Sequence, residues 1–475
     1  MTSRNLFRTL SASTVQIVLN QFLGLVVFYL TSRFLSKTDY GELNWTIAFV
    51  SVITAIFSLG TDFIVLKRIA SGHNIKQITG LHIFHNLAAG IVLVSALFIT
   101  RHFFPGFFLK HYLLTSVGLS VLITFLSSPF KQLANGKEAF THLAVMMISN
   151  NLVKGVLLSL LILIGVFQTE KVVQIFIVAA VCELAVSLLL AHKKFDITLV
   201  PYFNTKKYFS LVKEALPQLG VMIFDSTLAR VDWILLGIVA GASVTAEYSF
   251  AYKIFEISRL PMLILAPVIL PKFVRYFSNE QLSQEKTAEL GLLLRIEAFL
   301  SVLIPIFFCI TWVPLMNVLT AGKYSTSSEL VYLLLAVSVP LHYFTNFLWT
   351  MAFAQRQMRL TFYITVAVSL FNVLLNVILI PLLYATGAAI AFSVSTVLQI
   401  ILYKYFVKQQ QVKVRLTPLI VSIIISAISV FIAKKIFTNV VISTSAGLLL
   451  YLCAAYMVKL IRKDDITQLK KLLSR

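Results

Sequence analysis

The sequence predicts an all-α polytopic membrane protein with about fourteen transmembrane helices, or twelve if the last two do not span. Of its 475 residues, 59% are hydrophobic and only 12% are charged, and the mean hydropathy is +0.90. Long uncharged runs recur along the whole chain, near or above the roughly 18–20 residues that a helix needs to cross ~30 Å of hydrocarbon. The runs are continuous rather than alternating, which disfavours a β-barrel.

The apolar runs place each predicted helix. We expect helices near 12–34, 44–66, 78–100, 111–133, 142–166, 171–192, 216–240, 249–273, 294–319, 329–353, 360–383, 386–407, 417–437 and 440–461. An even number of spans puts both termini on the same side of the membrane.

The basic residues predict which side that is. If the N-terminus is cytoplasmic, 28 of the 40 Lys and Arg residues fall in inner segments, 8 in outer segments and 4 within spans. Cytoplasmic loops of membrane proteins collect Lys and Arg. The net charge of +21 is therefore explained by topology, without nucleic acid as a partner, and we expect both termini in the cytoplasm.

The domain organisation follows from the connections. The polar segment 193–215 lies between the sixth and seventh predicted spans and is the natural boundary between two six-helix lobes. We expect an N-terminal lobe at 1–192, a cytoplasmic connection at 193–215, a C-terminal lobe at 216–407 and a C-terminal helix pair with its tail at 408–475. No segment has the composition of a separate soluble domain.

Several chemistries find no support in the sequence. The eight histidines are scattered without metal-ligand spacing, and Cys182, Cys309 and Cys453 lie far apart in apolar runs. There is no phosphate-binding loop and no nucleophile with an adjacent base, so we expect neither an enzyme nor a cofactor. Asp39 and Glu42 in "SKTDYGE" fit either a solvated outer turn or the base of a membrane glycosyltransferase.

Charges inside the predicted spans are the candidates for function, because a charge at the bilayer centre costs roughly 2.5–3.5 kcal/mol on insertion scales. The seventh span contains Asp225, Arg230 and Asp232 in "FDSTLARVDWILLGIVAG". The two acids are seven residues apart and lie within about 20° of each other on a helix, whereas Arg230 points elsewhere. The trio either pairs with neighbouring helices or lines a polar cavity.

The eighth span carries a second group of charges. Lys253, Glu256 and Arg259 lie at i, i+3 and i+6, so Glu256 can bridge both cations on one face. Alternatively, Lys253 extends to the outer interface. Three prolines follow in "LPMLILAPVILP" and predict a bent helix, as found beside cavities.

The first lobe holds the remaining candidates. Asn20 and Gln21 lie in the middle of the first span, and Arg33 lies near its outer end. Asp62, one turn from the inner end of the second span, either pairs with Lys67 or has a role in coupling.

The fifth span has a polar patch. Asn150, Asn151 and Lys154 fall within about one helical turn. Lys154 either faces an anion or pairs with Glu183 of the next span.

One stretch resembles a known family. Residues 31–70, "TSRFLSKTDYGELNWTIAFVSVITAIFSLGTDFIVLKRIA", are similar to the first hairpin of prokaryotic polysaccharide flippases. Arg33, Tyr40, Gly41, Gly60 and Arg68 match the basic, turn and glycine positions of that pattern.

A second stretch, 230–254, is similar to the matching element of the second lobe, and its correspondences are Asp232, Gly237, Gly241, Tyr248 and Ala251. The family transports O-antigen and capsule repeat units, and its superfamily also contains drug/cation antiporters and the lipid II flippase.

The resemblance implies two six-helix lobes that form a V around a central cavity. It also implies alternating access that moves an undecaprenyl-pyrophosphate-linked oligosaccharide from the inner to the outer leaflet of the bacterial cytoplasmic membrane, coupled to an ion or to the membrane potential. Polysaccharide polymerase and chain-length proteins would be partners. Fourteen spans, rather than the twelve of many relatives, are also found in the lipid II flippase.

The site residues follow from this combination. A pyrophosphate needs basic partners, and its sugar needs a polar cavity. We expect the substrate cavity to involve Arg230, Lys154, Arg33, Lys253, Arg259, Asn20, Gln21 and Asn151. We expect ion coupling or charge pairing at Asp232, Asp225, Glu256 and Asp62.

Two alternatives remain. A lipid II flippase or a multidrug/cation antiporter of the same superfamily is the nearer one, and a protonatable Asp225 or Asp232 would serve an antiporter. A membrane glycosyltransferase or polymerase is the more distant one, because the outer loops are too short to hold a catalytic domain.

Overall fold

The computed structural model describes residues 3–195, 200–277, 284–407 and 414–465, without the side chains of 3–18, 263–268, 271 and 284. Within these ranges every regular element is an α-helix. The predicted all-α membrane fold is therefore confirmed. The chain divides into two compact units, unit 1 at Met1–Ala246 and unit 2 at Glu247–Arg475.

Unit 1 contains ten helices. They are α1 Ser3–Phe34, α2 Lys37–Phe57, α3 Thr61–Ala70, α4 Ile75–Phe103, α5 Pro105–Lys110, α6 Leu114–Leu126, α7 Ser128–Gly136, α8 Phe140–Leu163, α9 Thr169–Phe195 and α10 Thr205–Val239.

The second unit contains eight helices, the first of which begins just before the division between the units. They are α11 Ala242–Ser258, α12 Leu260–Phe277, α13 Gln284–Leu300, α14 Leu303–Thr320, α15 Glu329–Ala354, α16 Met358–Phe406, α17 Thr417–Ile436 and α18 Val440–Met457. The boundary predicted at 193–215 differs from this division because α10 packs on α2 and α3 of unit 1; the lobe assignment remains a prediction.

Ten helical segments of the described chain are long and apolar enough to cross a membrane. They include α6 joined to α7 and α13 joined to α14, while the 49-residue α16 counts once. Helices α1, α10, α11 and α12 are not among the ten. The protein is thus a multi-pass membrane protein, and the exact number of fourteen spans remains a prediction.

Several predicted spans are interrupted. The span at 44–66 divides into α2 and α3 at Leu59 and Gly60, both left-handed with φ of 50° and 71°. The span at 249–273 divides at Arg259, two residues before Pro261, which has no backbone N–H to continue the helical hydrogen bonds across the break. The predicted break between 383 and 386 coincides with Tyr384, whose φ is 51° inside α16.

Side-chain caps define where four helices begin. Ser36, Asn74, Asn204 and Asn439 each accept a hydrogen bond from a backbone N–H in the first turn of α2, α4, α10 and α18. Such caps satisfy donors that the helix itself leaves unpaired.

Helix α10 packs along α2 and α3, and we call this contact the seam. At its Trp45 end, the indole Nε1 of Trp45 donates to the carbonyl of Ile234 at 3.1 Å, and an added Cβ on Gly237 would overlap the Trp45 ring. At its Glu214 end, Gly60 faces the α10 backbone, where a Cβ would lie 2.9 Å from the Ala215 carbonyl. Only glycine permits both approaches.

The second unit is built on two helix pairs. In α15 and α16, Ser393 donates to the carbonyl of Leu334 at 3.1 Å. The C-terminal pair α17 and α18 packs against α13 and α14: Ser422 donates to the carbonyl of Ala298 at 2.7 Å and Tyr451 to that of Phe299 at 3.0 Å. The C-terminal pair is therefore an integral part of this unit's core.

Candidate functional site

The charged residues of α10 lie in different environments. Asp232 is buried, with 1% of its surface exposed, and its Oδ1 accepts the Trp233 N–H at 2.8 Å. The Arg230 guanidinium is half-buried and lies over the Trp233 ring, 4.5 Å from the centroid. Asp225 is exposed. The three side chains of the trio therefore have distinct surroundings, with Arg230 placed on an aromatic face.

The charged stripe of α11 is only partly as expected. Lys253 Nζ and Glu256 Oε2 form an ion pair at 2.7 Å. Arg259, in the break before α12, lies over the ring of Phe255 at 5.4 Å, and its buried Nε makes no hydrogen bond to the described residues. Glu256 thus pairs with Lys253, while Arg259 lies against an aromatic ring.

The polar residues of α1 and α8 include one direct pair. Asn151 Nδ2 donates to Asn20 Oδ1 at 3.0 Å. Gln21 is exposed on the neighbouring face of α1, and Arg33 is half-buried in its last turn. The structure brings Asn20 and Asn151 together but does not connect Gln21 or Arg33 to this pair.

Glu183 is the centre of a buried network in unit 1. It forms an ion pair with Lys131 of α7, accepts from Asn150 Nδ2 at 2.7 Å and accepts from Ser127 Oγ at 3.2 Å. Pairing between Glu183 and Lys154 was one of the two sequence-based alternatives, and Lys131 takes that place.

Lys154 instead lies against an aromatic ring. Its Nζ is 4.1 Å from the centroid of Phe176, and no carboxylate of the described chain forms an ion pair with it. An ammonium group is attracted to the face of an aromatic ring, which leaves Lys154 without a carboxylate of the described chain to neutralise it.

Asp62 has partners that the sequence did not predict. Its carboxylate accepts a hydrogen bond from Ser128 and lies 3.2 Å from Nε2 of the fully buried His82. The Asp62–Lys67 pair considered from the sequence is absent, because Lys67 contacts Glu214 of α10 at 3.2 Å.

A second histidine lies one turn along α4. The Nδ1 atom of His85 is 3.0 Å from the Tyr208 hydroxyl of α10, and its Nε2 atom is 3.1 Å from the Phe57 carbonyl. His82 and His85 therefore line the inside of unit 1 where α3, α4 and α10 meet. Their i, i+3 spacing is visible in the sequence, but it matches no metal-ligand pattern and gives no sign of the acid and tyrosine that face them.

The Trp45 end of the seam has its own acid–histidine pair. Glu42 is 1% exposed, and its Oε2 lies 3.2 Å from Nδ1 of His111. The His111 ring stacks on Trp45 with centroids 3.6 Å apart. Glu42 is therefore a buried, paired residue rather than the solvated turn residue expected.

The neighbouring acid, Asp39, connects three segments. It accepts hydrogen bonds from Tyr112 and, at 2.7 Å, from Thr169 Oγ1. Tyr112 lies between α5 and α6, outside the ten apolar segments, and burial together with the nearby Asp39 raises its pKa. These contacts occupy Asp39 structurally, which does not suit a catalytic base in a glycosyltransferase.

At the opposite end of the seam, Glu214 accepts from Arg68 Nη2 at 2.7 Å and Nε at 3.0 Å. This contact, in which two Arg68 nitrogens donate to the same Glu214 oxygen, is the main cause that lowers the pKa of Glu214, and Lys67 adds to it. The contact of Glu214 with Arg68 could not be predicted from the sequence, because a single acid in a basic segment gives no signal for a partner more than 140 residues away.

A protein-family model describes this sequence. Residues 6–277 match the model of the polysaccharide biosynthesis protein family. A comparison with curated proteins found no match.

Solved structures share the fold. The lipid II flippase MurJ in an inward closed conformation is 15% identical, with a TM-score of 0.75 over 94% of this chain and 98% of that chain. An inward-facing MATE-family multidrug resistance transporter of the MOP superfamily is 14% identical, with a TM-score of 0.65 over 84% of this chain and 99% of its own. A Vibrio cholerae MATE transporter has a TM-score of 0.57 and 12% identity over 85% and 96%.

At these identities the similar structures establish the fold alone, and all three are transporters or flippases. The family match covers more than half of the 475 residues. The chain therefore belongs to the polysaccharide biosynthesis protein family, and its fold is that of MOP-superfamily flippases and transporters.

Proposed function

We propose that this protein flips an undecaprenyl-pyrophosphate-linked polysaccharide repeat unit from the inner to the outer leaflet of the bacterial cytoplasmic membrane. Both termini would be cytoplasmic, and the cycle would proceed by alternating access with ion or potential coupling. The observation that carries the proposal is the family match over residues 6–277. The fold shared with a lipid II flippase over 94% of the chain supports a lipid-linked substrate.

The anion of such a substrate requires cationic partners. Lys154 and Arg230 both lie on aromatic rings, Phe176 and Trp233. A guanidinium suits two phosphate oxygens at once, whereas an ammonium acts as a point charge. We therefore assign the main phosphate contact to Arg230 and a supporting contact to Lys154.

The acids of unit 1 have a different role in this proposal. Glu183 is fully engaged by Lys131, Asn150 and Ser127, so it stabilises the helix bundle. Asp62 and Glu42 each face a buried histidine. Ionisable residues within membrane helices are frequent in proton relays, so we assign coupling to these acid–histidine pairs, with Asp62 the member already expected from the sequence.

Arg230→Ala tests the phosphate contact. In a flippase-deficient strain expressing this protein, the variant should abolish surface polysaccharide while the lipid-linked repeat unit accumulates, as measured by mass spectrometry. Arg230→Lys should retain part of the transport, because it keeps the charge but loses the planar guanidinium that can contact two phosphate oxygens at once. The matched control is Lys171→Ala, which removes a lysine at the start of α9, on the predicted outer side of the membrane. Normal polysaccharide with Arg230→Ala present in the membrane would reject this assignment.

The lipid II flippase function is the second candidate. The likeness to MurJ extends over 94% of the chain, against 84–85% for the MATE transporters. Rescue of a strain depleted of its lipid II flippase, without rescue of polysaccharide export in the first strain, would favour this candidate.

A further inference from the structure

A cavity of about 850 Å³ lies in unit 2 between α13, α17 and the segment after α18. All three chain segments belong to the side that the Lys and Arg distribution predicts to be cytoplasmic. The cavity's floor is apolar and includes the buried Leu290, Leu294 and Leu460. Its lining also contains the four cations Arg295, Arg415, Lys459 and Arg462.

Only one of these four charges is neutralised. Arg295 Nη2 pairs with Asp465 Oδ1 at 2.8 Å, and the other Asp465 oxygen accepts the Arg462 backbone N–H at 2.9 Å. In the described chain no carboxylate pairs with the side chains of Arg415, Lys459 or Arg462, all of which are exposed. The cavity therefore has a cationic rim above an apolar floor.

Two further features favour an anion there. The Nε of Arg295 is buried and makes no hydrogen bond to any described residue. Helix α17 begins at the cavity with Thr417, and its N-cap Leu416 provides no side-chain hydrogen bond. The N-terminus of this 20-residue helix is the positive end of its dipole, which attracts anions, although Pro418 in its first turn has no N–H to donate.

We propose that this cavity binds an anionic phospholipid of the cytoplasmic leaflet, with its phosphate at the rim and part of an acyl chain on the floor. Basic pockets between membrane helices on the cytoplasmic side suit such headgroups. Two adjoining segments of the chain are poorly matched occupants: "KQQQVK" at 408–413 and "ITQLKKLLSR" at 466–475 have further cations and no acidic side chain.

The position of Lys459 offers a variant that does not damage the fold. Lys459 follows the end of α18 and has a left-handed φ of 59°. Glycine is the preferred residue there. Lys459→Gly removes the charge and the backbone strain together, so weaker lipid binding by this variant is not explained by unfolding.

Gly291 gives a second, charge-neutral variant. It lines the cavity, and a Cβ placed on it would meet no atom within 4 Å. Gly291→Phe should fill the floor without displacing neighbouring atoms. Gly106→Phe in α5, which is equally open, is the matched control.

The experiment is a titration of the full-length protein in detergent micelles with phosphatidylglycerol or phosphatidylcholine, followed by native mass spectrometry. We expect phosphatidylglycerol to bind at least about tenfold more tightly. The preference should be lost in Arg415→Gln/Lys459→Gly/Arg462→Gln and weakened several-fold in Gly291→Phe. The control Lys76→Gln/Lys193→Gln/Lys206→Gln removes the same number of positive charges from the same predicted side. It should bind phosphatidylglycerol as tightly as the unaltered protein does.

Two competition arms separate the sources of phosphate. Inorganic phosphate lacks the acyl chain and should not displace the lipid at millimolar concentration; displacement would indicate a general anion site and overturn the proposal. Undecaprenyl pyrophosphate preferred over phosphatidylglycerol would assign the cavity to the transported substrate and also overturn it. Equal binding of both phospholipids, or an unaffected triple variant, would do the same. None of these readouts depends on transport, so they leave the proposed function untouched.

Discussion

At its Trp45 end, the seam between α2 and α10 is closed by a fully buried indole that lies between Gly237 and His111. At its Glu214 end, α3 and α10 are joined by ion pairs in which the Lys67 side chain is 60% exposed and that of Glu214 is 34% exposed. The first end depends on shape and dry packing, whereas the second depends on charges that water can replace.

In the proposed alternating-access cycle the two ends of the seam would open at different stages, and the difference between them has a consequence for that cycle. Separating the Trp45 end exposes a large aromatic surface and removes a buried hydrogen bond. Separating the Glu214 end exchanges partly hydrated ion pairs for water, each worth only about 0–1 kcal/mol. We expect the Glu214 end to open more readily and to respond to solution conditions.

The largest expected effect is at Gly237. In Gly237→Ala, the new Cβ overlaps the Trp45 ring, which is fully buried and cannot move aside. We expect the free energy of unfolding to fall by about 1–3 kcal/mol, the usual range for overpacking. Thermal unfolding in detergent measures this loss.

Gly291→Ala is the matched control for that substitution. It is also a glycine inside a helix, but its added Cβ contacts nothing. We expect a gain of about 0.5–1 kcal/mol from helix propensity. Equal effects of the two substitutions would contradict the close packing at the Trp45 end.

A smaller effect should distinguish the substitution of Arg68 from the substitution of Lys67. Arg68 contacts Glu214 through two nitrogens and is 17% exposed, whereas Lys67 makes one contact. Arg68→Gln should weaken closure of this end by about 1 kcal/mol, and Lys67→Gln by about 0.3 kcal/mol. The measurement is thiol cross-linking of Ser58→Cys with Met222→Cys, whose native side chains are 3.7 Å apart, in a cysteine-free background.

The control for this cross-linking is Lys76→Gln, a cation of the same predicted side that lies outside the seam. If Arg68→Gln and Lys67→Gln reduce cross-linking equally, the two-nitrogen contact of Arg68 does not stabilise this end more than the single contact of Lys67.

The smallest effect concerns pH. The pKa of Glu214 is lowered from its ordinary value of 4.5, chiefly by the Arg68 hydrogen bond. The stabilisation is therefore fully present above pH 4.5 and is lost as the pH falls through the lowered pKa. Cross-linking with an acid-compatible reagent should stay constant from pH 8 to about 5 and decrease only below about 4. A decrease near pH 6 would show that a group other than Glu214 controls this end of the seam.

Much of the fold was predictable because apolar runs and basic residues are local signals. The predicted break between 383 and 386, the start of α18 at Val440 and the all-α class follow from composition and spacing. The site was less predictable. Asn151 and Lys154 could be recognised as polar residues in a span, but their contacts with Asn20 and Phe176 connect separate helices.

The sequence by itself determined that this is a multi-pass helical membrane protein, because hydropathy acts residue by residue along the chain. Only the tertiary structure decided which charges are paired. Glu183 pairs with Lys131, Asp62 with His82 and Glu214 with Arg68. Each pair joins residues more than 15 positions apart, and such partners are chosen by the packing of helices rather than by sequence spacing.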